Sequence, residues 1–191
     1  MPWKKEHKSA TRERILESAA TAIRGRGLAG VGMAEVMEAT GLTHGGFYAH
    51  FGSKDELLAD AFAFACEKSS PILERAAEKA PPGGELLAVA ESYLTTSHAR
   101  HPESGCPIAA VGPEIVRSEG QARQTLGEAV RRRLDRLEKL ATGKSKEARR
   151  RKAASTYATM LGALFVARAL GEADGAKYLA DVRRHLAETS K

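Results

Sequence analysis

The stretch that decides the fold is residues 40–51, which read Thr-Gly-Leu-Thr-His-Gly-Gly-Phe-Tyr-Ala-His-Phe. Phe47 and Phe51 are separated by one helical turn, so they fall on the same face of a short helix. Gly41 lies between two helical patterns, where a turn of about three to four residues needs a backbone that tolerates unusual angles. Thr43 is placed to cap the second helix. The stretch therefore predicts a helix-turn-helix, and double-stranded DNA is the first candidate partner.

The composition is that of a soluble globular protein. Of its 191 residues, 42% are hydrophobic and 28% are charged. No uninterrupted apolar run approaches the roughly 18 residues that span a bilayer, and residues 1–8 lack the apolar segment of a signal peptide. We therefore expect a cytoplasmic protein with no membrane partner. In a reducing cytosol, a disulfide between Cys66 and Cys106 would be exceptional.

Helical patterns recur along the whole chain and strand patterns do not, so we predict an all-α fold. Ser53 and Glu56 form a capping box that opens a long helix, which Pro71 is expected to end or kink. The clearest linker is residues 81–84, Pro-Pro-Gly-Gly. Further helices are predicted from Ser9 to glycines 25 and 27, and over residues 33–40, 85–100, 107–118, 121–141, 146–170 and 174–188.

The net charge of +6 suits a polyanionic partner, but the charge is unevenly distributed. Residues 131–152 form the strongest basic block, with eleven Lys or Arg and three acidic residues. The ordinary interpretation of such a block is a solvated helix face and loop, and a second nucleic-acid surface is the alternative. Residues 3–8 allow two interpretations as well, a basic arm that reaches DNA or a frayed terminus.

The chain lacks the motifs of cofactor, metal and catalytic sites. Residues 25–30, Gly-Arg-Gly-Leu-Ala-Gly, match the glycine spacing of a dinucleotide-binding loop, but that loop works only between a strand and a helix. Here a helix precedes it. No Walker loop, paired-histidine zinc motif or nucleophile-elbow serine is present. We therefore expect no cofactor, no metal site and no enzymatic activity.

The chain resembles the tetracycline-repressor (TetR) family of bacterial transcriptional regulators. The resemblance covers roughly residues 10–60, and its most specific part is the run from Leu42 to Phe51 followed by Ser53-Lys54-Asp55-Glu56-Leu57-Leu58. It implies about nine helices per subunit, with a three-helix DNA-binding domain at residues 1–58 and a larger effector-binding and dimerisation domain at 59–191. It also implies a homodimeric repressor that a small-molecule effector releases from a palindromic operator.

Three positions bear on how the chain would bind DNA: two depart from the family pattern, and the third matches it. Gly32 stands where the family commonly has a Ser or Thr cap, and the substitution weakens the helix start by only a few tenths of a kcal/mol. His44 stands where Lys is frequent, which changes what touches the operator. Lys54 resembles the family's phosphate-binding lysine, at a helix start whose amides also attract anions.

The predicted recognition helix presents an almost bare outward face of Gly45, Gly46 and Ala49. Two glycines in a helix each cost about 1 kcal/mol, which is reasonable where the backbone must approach the floor of the major groove. Ala49 is placed to touch a thymine methyl group. Close approach of this helix to DNA is therefore the central hypothesis.

The edges of this helix carry the predicted DNA contacts. Thr43 and His44 lie at the helix start, which meets base edges in helix-turn-helix docking, and we assign direct readout to them and to Tyr48. Tyr48 and His50 also flank the bare strip, where each can donate to a phosphate. The alternatives are that Tyr48 only packs on its neighbours and that His50 bonds within the domain.

Outside this domain, Cys106 is the candidate redox sensor. His98 and His101 are close in sequence, and nearby histidines favour the reactive thiolate. One hypothesis is thus a repressor that senses electrophiles or oxidants through Cys106, and the other is that Cys106 only packs. A thiol-dependent enzyme using Cys106 with either histidine would explain none of residues 40–58.

The last two predicted helices carry continuous apolar faces, which suit a homodimer interface over about residues 146–188. The residues of these faces are Tyr157, Met160, Leu161, Leu164, Phe165, Tyr178, Leu179, Val182 and Leu186. An activator or a less specific DNA-compacting protein remains an alternative to the repressor, and the basic block favours compaction.

Overall fold

The structure is a computed structural model that describes residues 2–41 and 44–189, apart from the side chains of residues 2–7, 44 and 45. Within these ranges it contains ten α-helices, one 3-10 helix at Pro102–Ser104 and no strand, which confirms the all-α prediction. The helices are α1 Pro2–Arg26, α2 Met33–Thr40, α3 His44–Tyr48, α4 Lys54–Glu78, α5 Glu85–Tyr93, α6 Thr96–Arg100, α7 Pro107–Arg117, α8 Gln121–Leu140, α9 Lys146–Leu170 and α10 Glu172–Thr189.

The described ranges hold one helix more than the expected nine, because the helix predicted at 85–100 is divided into α5 and α6. Leu94 leaves the helical conformation with φ −85° and ψ 61°. Thr95 then caps α6, since its Oγ1 accepts a hydrogen bond from the amide of His98 at 3.1 Å. The prediction missed this break because the apolar pattern continues across it, whereas the Thr95 cap begins a new helix.

Helix α1 ends as predicted but begins earlier. Gly27 has φ +77°, and its amide donates to the carbonyl of Ile23 at 2.9 Å, a helix ending that favours glycine. The start predicted at Ser9 was wrong, because the helix continues back through residues 3–8 to Pro2. Proline is well tolerated in a first helical turn.

Helix α4 begins with the predicted capping box. The Oγ of Ser53 accepts from the amide of Glu56 at 3.1 Å, and the Glu56 carboxylate accepts from the amide of Gly52 at 2.8 Å. Of the two outcomes predicted for Pro71, the end of the helix is wrong, because α4 continues to Glu78 with Pro71 inside it; the kink stays a prediction. Pro71 lies on the exposed side, while Leu73 packs inward and favours continuation of the helix.

The chain forms two compact units. The first comprises Met1–Lys68 and Cys106–Glu128, and the second comprises Ser69–Gly105 and Ala129–Lys191. Helices α4 and α8 therefore each contribute to both units. The predicted functional boundary at residue 58 stays a prediction, because compactness does not identify which residues bind DNA or effector.

The first unit has a continuous apolar core. Helix α1 buries Ile15, Ala19 and Ile23 completely, whereas Ala22 is half-buried. The core also includes Val36, Met37, Phe47, Phe51, Phe62, Val111 and Ile115. Burial of each large side chain contributes about 1.5–3 kcal/mol, so these residues hold the helix-turn-helix against α1.

Hydrogen bonds from arginines stabilise the second unit around α6. Arg168 of α9 donates to the carbonyls of His98 and Ala99, each at 3.2 Å. Arg183 of α10 donates to the carbonyl of Leu94 at 2.5 Å. These carbonyls lie at helix ends that lack intrahelical donors, so the arginines satisfy buried or half-buried acceptors.

Candidate DNA-binding surface

The turn that enters the predicted recognition helix has the geometry expected of its glycine. Gly41 adopts φ 69° and ψ 26°, and its amide donates to the carbonyl of Glu38 at 3.0 Å. This left-handed conformation is why glycine suits the position. Arg14 of α1 donates to the carbonyl of Thr40 at 2.8 Å, which fixes the end of α2. Gly32 begins α2 without a side-chain cap, as predicted.

Two phenylalanines anchor this region, Phe47 within α3 and Phe51 three residues after its end. The helix predicted to carry both thus ends earlier than expected, at Tyr48. Phe47 and Phe51 are fully buried, and their rings stack with centroids 5.7 Å apart. Their burial confirms that they belong to the core. Of the residues between these rings, Tyr48 and Ala49 are exposed and His50 is half-buried.

The outward side of this region carries Tyr48 and Ala49. Tyr48 is 61% exposed, and its ring touches Phe47 edge to face at 5.1 Å. Ala49 is exposed, and Gly46 is half-buried. Tyr48 thus combines a contact with the buried Phe47 and a largely exposed side chain. The core contact and the predicted DNA contact are compatible.

The structure leaves the base-reading predictions at the helix start untested. Thr43 lies outside the described residues, as does Leu42, which was expected to complete the small core. His44 opens α3 and Gly45 follows it, but the side chain of His44 lies outside the described part. Their roles stay predictions.

His50 combines a buried ring nitrogen with a positive environment. Within the described residues, its Nδ1 is buried without a hydrogen-bond partner, and the ring lies 6.5 Å from that of Phe51. Burial lowers the pKa of His50 from its usual 6.5, and the positive charges of Lys8 and Arg12 lower it further. The His50 imidazole is therefore neutral at pH 7, and the positive charges near it are those of Lys8 and Arg12.

Lys54 is exposed at the first position of α4. Asp55 and Glu56 follow it in the same helical turn, so Lys54 is the single basic side chain there. A flexible ammonium group at a helix start suits a phosphate contact. The exposure agrees with the predicted role without testing it.

Sequence reasoning missed Arg12 as an organising residue. Its guanidinium lies 4.7 Å from the ring centroid of Phe51 and forms an ion pair with Asp60. It therefore links α1 to the residues that follow α3 and to α4. The available signal was spacing, because Arg12 stands three and four residues before Ile15 and Leu16 on the buried stripe of α1.

The candidate redox residue is buried. Cys106 precedes α7, Cys66 lies within α4, and neither thiol is in a disulfide. His98 is half-buried, with its Nδ1 2.8 Å from the carbonyl oxygen of Tyr93. His101 is exposed and lies 3.1 Å from Glu103. Both hypotheses for Cys106 stay open.

The basic block 131–152 is not a uniform solvated face. Arg136 forms a 3.0 Å ion pair with Glu74, and Lys152 donates to Thr142 at 3.1 Å. Arg133 is buried, whereas Arg131 is exposed.

Among the described residues, no group of three or more His, Cys, Asp or Glu is arranged to hold a metal ion.

Sequence comparison matches both parts of the chain to one family. The family model described as "Bacterial regulatory proteins, tetR family" matches residues 15–61. The model described as "Tetracyclin repressor-like, C-terminal domain" matches residues 82–186. The second match covers more than half of the 191 residues.

Curated relatives and solved structures agree with these matches. An uncharacterized HTH-type transcriptional regulator of Mycobacterium tuberculosis is 34% identical over 105 residues, which are 54% of this chain and 52% of that protein. The chain thus spans about half the length of the curated relatives it matches.

The crystal structure of a TetR transcriptional regulator from Chloroflexus aurantiacus is similar, with a TM-score of 0.80 and 27% identity, covering 96% of this chain and 95% of that one. A TetR-family regulator from Cytophaga hutchinsonii has a TM-score of 0.76 at 22% identity, covering 95% and 96%. At the latter identity the likeness concerns the fold alone.

Proposed function

Because the chain belongs to the tetracycline-repressor family of DNA-binding transcriptional regulators, we propose that it is a homodimeric repressor that a small-molecule effector releases from a palindromic operator. The observation that carries this proposal is the exposed strip at Tyr48 and Ala49, held outward by the buried Phe47 and Phe51. We assign the protein to the cytoplasm, where its operator lies, and give it no catalytic role.

The strip supports a specific assignment of contacts. Gly45, Gly46 and Ala49 allow the helix backbone to approach the major groove closely. Thr43 and His44 read base edges from the start of the helix. The residues assigned to the groove walls and phosphates are Tyr48, His50 and Lys54.

The terminal helices support the dimer. Phe165 of α9 is 68% exposed and Leu170 is also exposed, although both are large apolar residues. By length and composition α9 is apolar enough to cross a membrane, yet only 33% of its most apolar segment is buried within the single chain. Core helices of soluble proteins have the same composition. In the proposed dimer, a second copy of α9 and α10 would cover the exposed apolar face that carries Phe165 and Leu170.

Selection of binding sites from random DNA, followed by footprinting, tests the proposal. We expect a near-palindromic site whose half-site centres are about 34–36 Å apart, or a multiple of that distance. Salt-sensitive binding without sequence preference would instead support DNA compaction and overturn the repressor assignment. A specific site that increases transcription when occupied would identify an activator.

A further inference from the structure

The second compact unit contains an open cleft of about 290 Å³ between the end of α4, α5 and the end of α8. Its walls are mainly apolar, and the apolar residues among them are Leu73, Ala77, Val89, Leu137 and Leu140. The volume is at the lower end of small-molecule sites, which run from about 300 to 1,000 Å³. The cleft thus accommodates a small organic molecule with an apolar body.

One charged side chain of this cleft is buried without an acidic partner among the described residues. Arg133 lines the cleft with only 8% of its surface exposed, and it is the one buried charged residue in that part of the chain. Within the same part it forms no ion pair or hydrogen bond. Arg136, one turn further along α8, is paired with Glu74 at 3.0 Å.

The other acidic residue of the cleft is not placed to neutralise Arg133. Glu78 is exposed and makes no ion pair with Arg133, and the exposed Lys139 adds a further positive charge. The cleft therefore carries three basic and two acidic side chains, and one acid is already paired. Although Arg133 is mostly buried, none of its guanidinium nitrogens is among the fully buried atoms without a partner, so they remain accessible from the cleft. An anion that enters the cleft can therefore form charge-assisted hydrogen bonds with them.

We propose that this cleft binds a small amphipathic organic acid, whose carboxylate accepts hydrogen bonds from the Arg133 guanidinium while its apolar body contacts Leu73, Ala77 and Leu140. The planar guanidinium fork matches a carboxylate in two parallel hydrogen bonds, and the apolar walls exclude competing water. The inference rests on the proposed function, because it names the chemical class of the effector.

Calorimetric titration of the full chain tests the site. The probes are butanoate, octanoate, dodecanoate and benzoate, with 1-octanol as a neutral molecule that has the apolar body of octanoate. We expect at least one acid to bind, octanol to bind at least about tenfold more weakly than octanoate, and Arg133→Met to weaken the best acid at least about tenfold. Arg131→Met, an exposed arginine of the same helix, is the matched control and should leave acid binding unchanged.

Thermal unfolding separates ligand binding from a structural role. Removal of an unpaired buried cation should leave the melting temperature of Arg133→Met unchanged or raise it, whereas loss of a structural contact would lower it. Arg133→Lys keeps the charge but loses the planar fork, and we expect intermediate acid affinity. This second variant keeps the test valid if Arg133→Met fails to fold.

The inference is overturned if no acid of the panel binds at concentrations up to about 1 mM, if octanol binds as tightly as octanoate, or if both Arg133 variants bind acids like the wild type. Operator release is measured separately. Operator binding without acid binding would defeat the ligand site and leave the DNA-binding function intact. Acid binding through Arg133 without operator release would support the site and defeat the effector step of the proposed function.

Discussion

Single residues in and after the helix-turn-helix divide into buried residues that fix its structure and exposed residues that we assign to DNA. Phe47 and Phe51 are buried, while Tyr48 and Lys54 remain exposed. Because the two sets alternate along one short segment, a substitution at an exposed position can alter DNA binding with little effect on folding. The following predictions use that separation.

Base readout and phosphate contact should respond differently to substitution. We expect His44→Ala to weaken operator binding by about 1–3 kcal/mol and to relax sequence preference, because a base-edge contact is lost. Lys54→Ala should weaken binding to all sequences alike and reduce the slope of log affinity against log salt by about one. Fluorescence anisotropy on operator and random DNA at several salt concentrations measures both effects.

The exposed Lys79, which follows α4, supplies the control for Lys54. Lys79→Ala should leave the salt slope unchanged. Equal losses on operator and random DNA for His44→Ala and Lys54→Ala would show that the two roles are wrongly assigned.

The two hypotheses for Cys106 differ in their response to oxidation. The sensor hypothesis predicts that peroxide or a maleimide lowers operator affinity in the wild type but not in Cys106→Ser. The packing hypothesis predicts the same response in both proteins. Cys66→Ser is the control, because Cys66 is also buried. A gel-shift titration before and after treatment decides between the hypotheses.

Among the helices, the sequence predicts types and caps better than starts and breaks. The Ser53 capping box and the Gly41 turn follow from local chemistry, and both predictions are confirmed. The α5–α6 break combines the local Thr95 cap with a hydrogen bond from the distant Arg183 to the Leu94 carbonyl, and a local pattern does not contain the second contact. A local pattern also could not show which arginine of the basic block is buried. Arg133 is buried because α4 and α5 pack beside α8, and these helices are distant in sequence.

A contact between α1 and α7 makes Gly27 sensitive to substitution. The amide of Leu28 donates to the Glu114 carboxylate at 2.8 Å, and a Cβ on Gly27 would lie 2.7 Å from an oxygen of that carboxylate. We expect Gly27→Ala to lower the free energy of unfolding by about 2–3 kcal/mol, from backbone strain at φ +77° and loss of the hydrogen bond. Urea denaturation measures this change.

Gly120 is the matched control for Gly27, because it has φ +87° while the described residues leave open space where its Cβ would lie. Gly120→Ala should lower the free energy of unfolding by only about 1–2 kcal/mol, from strain alone. Equal destabilisation by the two substitutions would rule out a contribution from the Glu114 contact.

For the whole molecule, the proposed dimer and the half-buried histidines determine how activity and stability depend on conditions. A single recognition helix contacts one half-site, so tight operator binding requires that the dimer persist. Stability at low pH depends instead on groups that are held neutral inside the fold. These two dependences are measured by different experiments.

The dimer proposal predicts that a charge on α9 separates the subunits. Phe165→Glu should raise the dimer dissociation constant at least about tenfold and weaken operator binding, because it places a carboxylate in an apolar interface. Ile72→Glu is the control, since Ile72 is similarly exposed but lies on α4. Sedimentation equilibrium measures association, and an unchanged constant for Phe165→Glu would contradict the proposed interface.

His98 should make the protein less stable at acid pH. Burial lowers the pKa of His98, with a smaller lowering by Arg168, while its bond to the Tyr93 carbonyl opposes the shift. Because the unfolded chain then binds more protons, stability is full above the usual pKa of about 6.5 and falls as the pH decreases below it. Urea unfolding between about pH 7.5 and 5 measures this fall.

His98→Gln should flatten that pH dependence, whereas a substitution of the exposed His185 should not. A residual slope is expected from His50, whose pKa is lowered in the same direction. A His98→Gln profile as steep as that of the wild type would refute the role of His98.

The sharing of α4 and α8 between the two compact units limits how this regulator can be engineered. A fragment cut after residue 58 would lose Phe62 and the whole of α7, including Ile115, which complete the core around α1. Such a fragment is expected to aggregate or unfold rather than serve as a portable DNA-binding cassette. Chimaeric regulators built from this chain should therefore carry residues 106–128 along with the amino-terminal segment.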